Sequence, residues 1–109
     1  MNPGELNKKI KILKMLPRKP LKNESLDIFL VRFAKVKNIS ENEYEINDSI
    51  KSKVKKVIII RYKKELDPSY DFSVCQKYKI KYRNQIYNIL SIKNINEQNK
   101  YLELEVSNI

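Results

Sequence analysis

Two adjacent blocks of charge hold most of the side chains that could do chemistry. Residues 41–50 carry Glu41, Glu43, Glu45 and Asp48 with no base, and residues 51–64 carry seven basic groups with no acid, starting at Lys51, Lys53, Lys55 and Lys56. Clustered carboxylates can hold a hard cation through oxygen ligands. This cluster lacks the loop glycine and the ordered ligand positions of a calcium loop, so a solvated face is the expected use. A run of lysines attracts phosphate oxygens without reading sequence. Cys75 lies near Lys77 with no base beside it and reads as a small apolar filler. The chain has no histidine, which removes His-based acid–base chemistry, Ser–His and Cys–His nucleophiles and the usual zinc sets. A single glycine, Gly4, excludes a glycine-rich phosphate loop. The residues therefore point to no catalytic centre, no metal site and no cofactor.

Net charge is +10, which favours an anionic partner. Nineteen of the 23 basic residues are lysines and four are arginines, whereas direct base readout favours arginine. Proximity to DNA fits this composition better than sequence-specific binding does. The juxtaposed blocks suit either an anionic channel partner or head-to-tail docking between identical subunits. Locally paired charges on a solvated loop would give the same pattern. One cysteine fits a reducing compartment, no signal peptide is expected, and no apolar run approaches the ~20 residues of a membrane span.

The elements that must position these blocks read mainly as strands. Tyr78, Ile80 and Tyr82 alternate with Lys77, Lys79, Lys81 and Arg83, and Leu102, Leu104 and Val106 alternate with Glu103 and Glu105. Period 2 marks strands with one buried and one wet face. Arg83-Asn84 and the stretch 96–99 supply turns, so residues 77–106 form a β-meander. A first strand is expected over residues 8–16, a second from about Ile28 to Lys37, and a third from about Lys53 to Lys63. The third contains the apolar run Val57-Ile58-Ile59-Ile60, suited to a central position. Pro17 and Pro20 bracket a basic loop. Residues 40–56 carry both patterns. Ser40 and Glu43 have capping-box spacing, and Ile46, Ile50, Val54 and Val57 recur at helical spacing, while Tyr44 and Ile46 alternate with Glu43 and Glu45. One short helix over residues 41–49, or a long loop, is expected between strands 2 and 3. The fold class is thus a small, mainly β, six-stranded antiparallel barrel over residues 1–109. Residues 1–7 would form an N-terminal arm and residues 38–56 a projecting segment.

With the elements placed, the chain resembles the phage head–tail joining family, also called head-closure, stopper or head–tail connector proteins. The blocks that carry the resemblance are MNPGELNKKIKIL, VRFAKVKNISENE, VIIIRY with Arg61 and Tyr62, and IKYRNQIYNILSIKNINEQNKYLELEV, with Tyr87 and Ile89 in the family's Y-x-I position. Phe33-Ala34 stands where the family often has Trp-Ala, and Asn84 where it often has glycine. Phenylalanine keeps the apolar body, and asparagine tolerates a left-handed turn.

The resemblance implies a structural virion protein rather than an enzyme, assembled in the host cytoplasm and located at the head–tail interface. It implies a homo-oligomeric ring, a dodecamer in the assembled particle and a monomer when alone. That ring would sit on the portal or adaptor protein, close the channel around packaged double-stranded DNA, and receive a tail-completion protein. The segment matching the family's channel loop is 38–56. Lys51, Lys53, Lys55 and Lys56 are then the channel- or DNA-facing candidates, and Glu41, Glu43, Glu45 and Asp48 the inter-subunit candidates. An alternative from another class is an OB-like barrel that binds single-stranded nucleic acid by stacking bases on Tyr62, Tyr78, Tyr82, Tyr87 and Tyr101.

Overall fold

The computed structural model describes residues 5–15, 26–46 and 49–108. Six strands follow in chain order: β1 (Lys8–Met15), β2 (Leu26–Ile46), β3 (Ser49–Arg61), β4 (Tyr78–Tyr82), β5 (Gln85–Asn94) and β6 (Tyr101–Ser107). All pairings are antiparallel, and the order β1-β2-β3-β6-β5-β4 closes through β1 against β4. Closure removes the exposed edges that an open sheet of this size would carry.

The alternation in the sequence becomes the inside and outside of the barrel wall. Ile10 and Ile12 of β1, Ala34 of β2, Ile58 and Ile60 of β3, Ile80 of β4 and Leu102, Leu104 and Val106 of β6 are all at most 1% exposed. Burying each such branched side chain contributes about 1.5–3 kcal/mol. Ile59 points the other way yet is also buried; its cross-strand neighbours on that face are Lys35 and Glu103, whose aliphatic stems can lie over it. The apolar run at 57–60 is therefore central, as its composition predicts.

The meander forms as expected. Tyr82 pairs with Gln85 across a two-residue turn in which Arg83 and Asn84 have φ of 50° and 62°. Two successive left-handed residues match the twist of a hairpin, and Asn84 is one of the few residues other than glycine that enters that region readily.

The short helix expected over residues 41–49 does not form. β2 runs on to Ile46 and pairs with β3 from Ser40↔Lys55 to Ile46↔Ser49. Of the two patterns in this segment the alternation prevails, because β3 offers a complete antiparallel partner only two residues away. Helix propensity and a capping box are small terms beside a continuous ladder. Helix appears elsewhere, as α1 (Val74–Lys77), a single turn whose Val74 is fully buried in the core. The expected basic loop between Pro17 and Pro20 lies outside the described residues.

Candidate functional site

β2 and β3 outlast the barrel. β1 accompanies β2 only as far as Ala34, and β6 accompanies β3 only as far as Lys55, paired with Ser107. Beyond that point residues 40–46 and 49–54 have each other as ladder partners. They make a two-stranded ribbon roughly 20 Å long at the rise of an extended chain. At its root, Asn108 accepts the Val54 amide on its side-chain oxygen at 2.8 Å and donates its own amide to the Val54 carbonyl at 3.3 Å.

A bulge divides the ribbon from the barrel. Asn38 pairs with Lys56 and Ser40 with Lys55, so Ile39 is the extra residue on β2. An extra residue in one strand reverses which positions share a face. Odd-numbered positions of β2 face outward in the barrel, as Lys35 and Lys37 do. Past Ile39, odd positions continue the inward face: Glu41 opposes Val54, Glu43 opposes Ser52 and Glu45 opposes Ile50. Lys51, Lys53 and Lys55 oppose Tyr44, Asn42 and Ser40 on the other face.

The register thus separates the candidates. Glu41, Glu43 and Glu45 fall on one set of alternate register positions of the ribbon, and Lys51, Lys53 and Lys55 on the other. Asp48 lies outside the described residues. Lys56 leaves the lysine group: it opposes Val106 and Asn38 at the barrel mouth, where its ammonium donates to the Asn38 side-chain oxygen. Lys55 sits at the rim, 4.0 Å from a Glu105 oxygen.

Three of the five candidate stacking tyrosines lie in the core. Tyr78, Tyr82 and Tyr87 are core residues, with Tyr78 tilted against Phe29 at 5.1 Å between ring centres. Tyr62 is half-buried and donates its hydroxyl to Asp67 at 2.7 Å. The hydrogen bond to Asp67, aided by burial, pushes the Tyr62 phenol up to about 12. Burial alone would raise Asp67, but hydrogen bonds from Tyr62 and from the Ser69 hydroxyl and amide outweigh it and hold the carboxylate below its ordinary range. Asp71 and Ser73 repeat that Asp-x-Ser turn, and Lys77 donates to Asp71 at 2.7 Å. These contacts hold the corner between β3 and α1. Burial pushes the Cys75 thiol up, and its side chain packs against the core cluster.

What the sequence reading missed lies on the outside of the wall. Ile28, Val31 and Phe33 of β2 and Ile86 and Leu90 of β5 are exposed, Phe33 at 60%. Cross-strand register sets Val31 beside Lys11, Lys11 beside Lys81, and Lys81 beside Ile86. Alternation assigned these residues to a face, but nothing in one sequence says that an outward phenylalanine has no cover.

The comparisons with known proteins bear on this architecture directly. The profile of the phage head completion protein family matches residues 1–109. The chain belongs to the phage head completion protein family. A solved chain from the virion of a native gene transfer agent (GTA) particle superposes with a TM-score of 0.70 at 15% sequence identity, covering 94% of this chain and 94% of that one. At that identity the likeness shows the fold, and the fold is the closed six-stranded barrel described above. No curated protein matches the sequence. As a head completion protein the chain is a structural component of the virion, with a role in the phage head rather than membership of an enzyme family.

Proposed function

We propose that this head completion protein forms a ring at the portal vertex, that the β2–β3 ribbon closes the DNA channel after packaging, and that the outer barrel wall receives the tail. The observation that carries the reading is the ribbon itself: a charged hairpin that runs on past the barrel, with no third strand paired to it among the described residues. Around a ring, Lys51, Lys53 and Lys55 recur once per copy, so weak phosphate attraction is multiplied without any specific base contact. The exposed apolar residues Phe33 and Val31 supply a docking patch of the kind that protein neighbours cover. The partners are then further copies of the chain, the portal or adaptor protein, a tail-completion protein, and packaged double-stranded DNA by proximity.

Particle assembly tests the proposal. Heads made without the protein should lose packaged DNA or fail to acquire tails, and adding purified protein should restore both. Heads that retain DNA and join tails without it would end the proposal. A single-stranded nucleic-acid reading draws no support from the buried tyrosine rings.

A further inference from the structure

The seam that closes the barrel, β1 against β4, carries like charges face to face. On the outer side of the wall Lys11 stands directly opposite Lys81, with Val31 beyond Lys11 on β2 and Ile86 beyond Lys81 on β5. Two positions along β1, Lys9 stands opposite Phe33. Like charges directly opposite one another weaken a ladder. Lysines often guard an open sheet edge, but this seam lies inside a closed barrel and has no edge to guard. Nor do acids of the chain compensate them. Among the described residues the ion pairs use Lys35, Lys55, Lys63 and Lys77, and the side chains of Lys9, Lys11 and Lys81 have no ionic or hydrogen-bonding partner. The flanking apolar side chains are equally uncovered: Phe33, Val31 and Ile86 are all exposed. The fold gains from neither feature.

Resting on the proposed reception of the tail by the outer wall, we infer that the β1–β4 seam is a docking strip for an acidic protein surface on the tail side. The partner's carboxylates meet Lys9, Lys11 and Lys81, while its apolar side chains cover Val31, Phe33 and Ile86. Charge complementarity selects this occupant: a strip of unneutralised ammonium groups repels a basic surface and steers an acidic one. The apolar flanks favour protein over duplex DNA. Phosphates would satisfy the lysines but leave Phe33 in water, whereas the centre of a protein interface covers apolar side chains. A second copy of this chain is a poor occupant. Each copy carries +10, and Glu5, Glu103 and Glu105, in and beside the wall, already stand near or opposite lysines.

The test supplies the full chain, and then tails, to heads that lack it, with tail joining and DNA retention counted by electron microscopy. Lys81→Glu separates docking from folding, because it turns the like-charge pair with Lys11 into a pair of opposite charges. Its melting temperature should rise by about 2–5 °C. Tail joining should nevertheless fall by about tenfold, with packaged DNA retained. K11E/K81E exchanges one like-charge pair for another, so it should melt like wild type and join tails more poorly still. Wild-type joining should fall between about 0.1 and about 1 M salt, where the Debye length drops from ~10 to ~3 Å.

Normal tail joining by K11E/K81E would overturn the inference, and binding of the wild-type chain to phosphatidylglycerol vesicles beside it would give the strip to a membrane. Escape of DNA from K11E/K81E heads would overturn it in favour of DNA. Carbodiimide coupling in intact virions reads the partner directly, since it joins a lysine amine to a carboxylate in contact with it. Lys77 and Asp71, 2.7 Å apart, are the internal control. Coupling of Lys11 or Lys81 to an acid of another virion protein would support the inference. Coupling only to acids of this chain would give the strip to a second copy and overturn it, as would no coupling of either lysine where Lys77 and Asp71 are joined. If heads without the chain join tails as well as complete heads do, the proposed function has failed rather than the strip, and the coupling still decides the strip.

Discussion

The barrel wall and the ribbon are made from the same two strands, yet they treat charge in opposite ways. In and beside the wall, away from the β1–β4 seam, opposite charges lie near each other: Glu5 is 3.7 Å from Lys35, Glu105 is 4.0 Å from Lys55, and Glu103 stands opposite Lys93 in the register. In the ribbon, one extra residue at position 39 shifts Glu41 and Glu43 out of register with Lys53 and Lys51, which they would otherwise have opposed. The wall hides a core of aliphatic side chains, whereas among the described residues the ribbon pairs only along its own ladder. In the proposed reading the two parts have two jobs: the wall holds the molecule together, and the ribbon presents charge to something outside it.

The largest effect should come from breaking the wall. Ile60→Ala removes a fully buried side chain between β2 and β6 and should lower stability by about 2–5 kcal/mol in denaturant unfolding. Replacing residues 41–53 with a two-residue turn should shift the melting temperature little, because the described core cluster draws on β1, the barrel part of β2 and β3, and β4 to β6. If that shortening destabilised the chain as much as Ile60→Ala, the division of labour would be wrong.

Next comes the corner that joins the wall to α1. Asp67→Ala strands the Tyr62 hydroxyl and the Ser69 amide and should lower stability by about 1–3 kcal/mol. The same substitution should bring the Tyr62 phenol down from about 12 toward its ordinary 10.0, visible in an ultraviolet titration.

Acid gives a smaller effect. The hydrogen bond and ion pair with Lys77, with help from Ser73, hold Asp71 down to about 2 against an ordinary 3.8. A depressed carboxylate stabilises the fold fully above its unfolded value, and that contribution is lost as pH falls through about 2. The melting temperature should therefore decline below about pH 4, and Asp71→Asn should flatten the decline. An unchanged acid limb would place the stabilisation elsewhere.

Much of this architecture is legible in the chain and some is not, for physical reasons. Alternation at 78–82 and 101–107 reports directly on which residues a wall buries, so the meander and the core can be read from period alone. Residues 40–56 satisfy two periods at once, and the choice between them depends on whether β3 lies alongside, which is tertiary information. The charge blocks are plain in the sequence, but their separation onto alternate register positions depends on one bulge, and a bulge at Ile39 leaves no signal in residue type. Exposed Phe33 is likewise invisible until its neighbours are placed.

The smallest expected effect concerns the β4–β5 turn. Arg83→Asn with Asn84→Gly replaces a strained left-handed arginine and its neighbour by a pair that prefers that region, and should raise stability by about 1 kcal/mol in the wall while leaving ribbon function unchanged.

The most direct measurement is electron cryo-microscopy of protein-deficient heads supplied with the chain whose residues 41–53 are replaced by a short turn. The account predicts that these barrels fail to seal the vertex, so that packaged DNA escapes although the purified barrel melts like wild type. Heads that keep their DNA and join tails as well as with the full chain would contradict it.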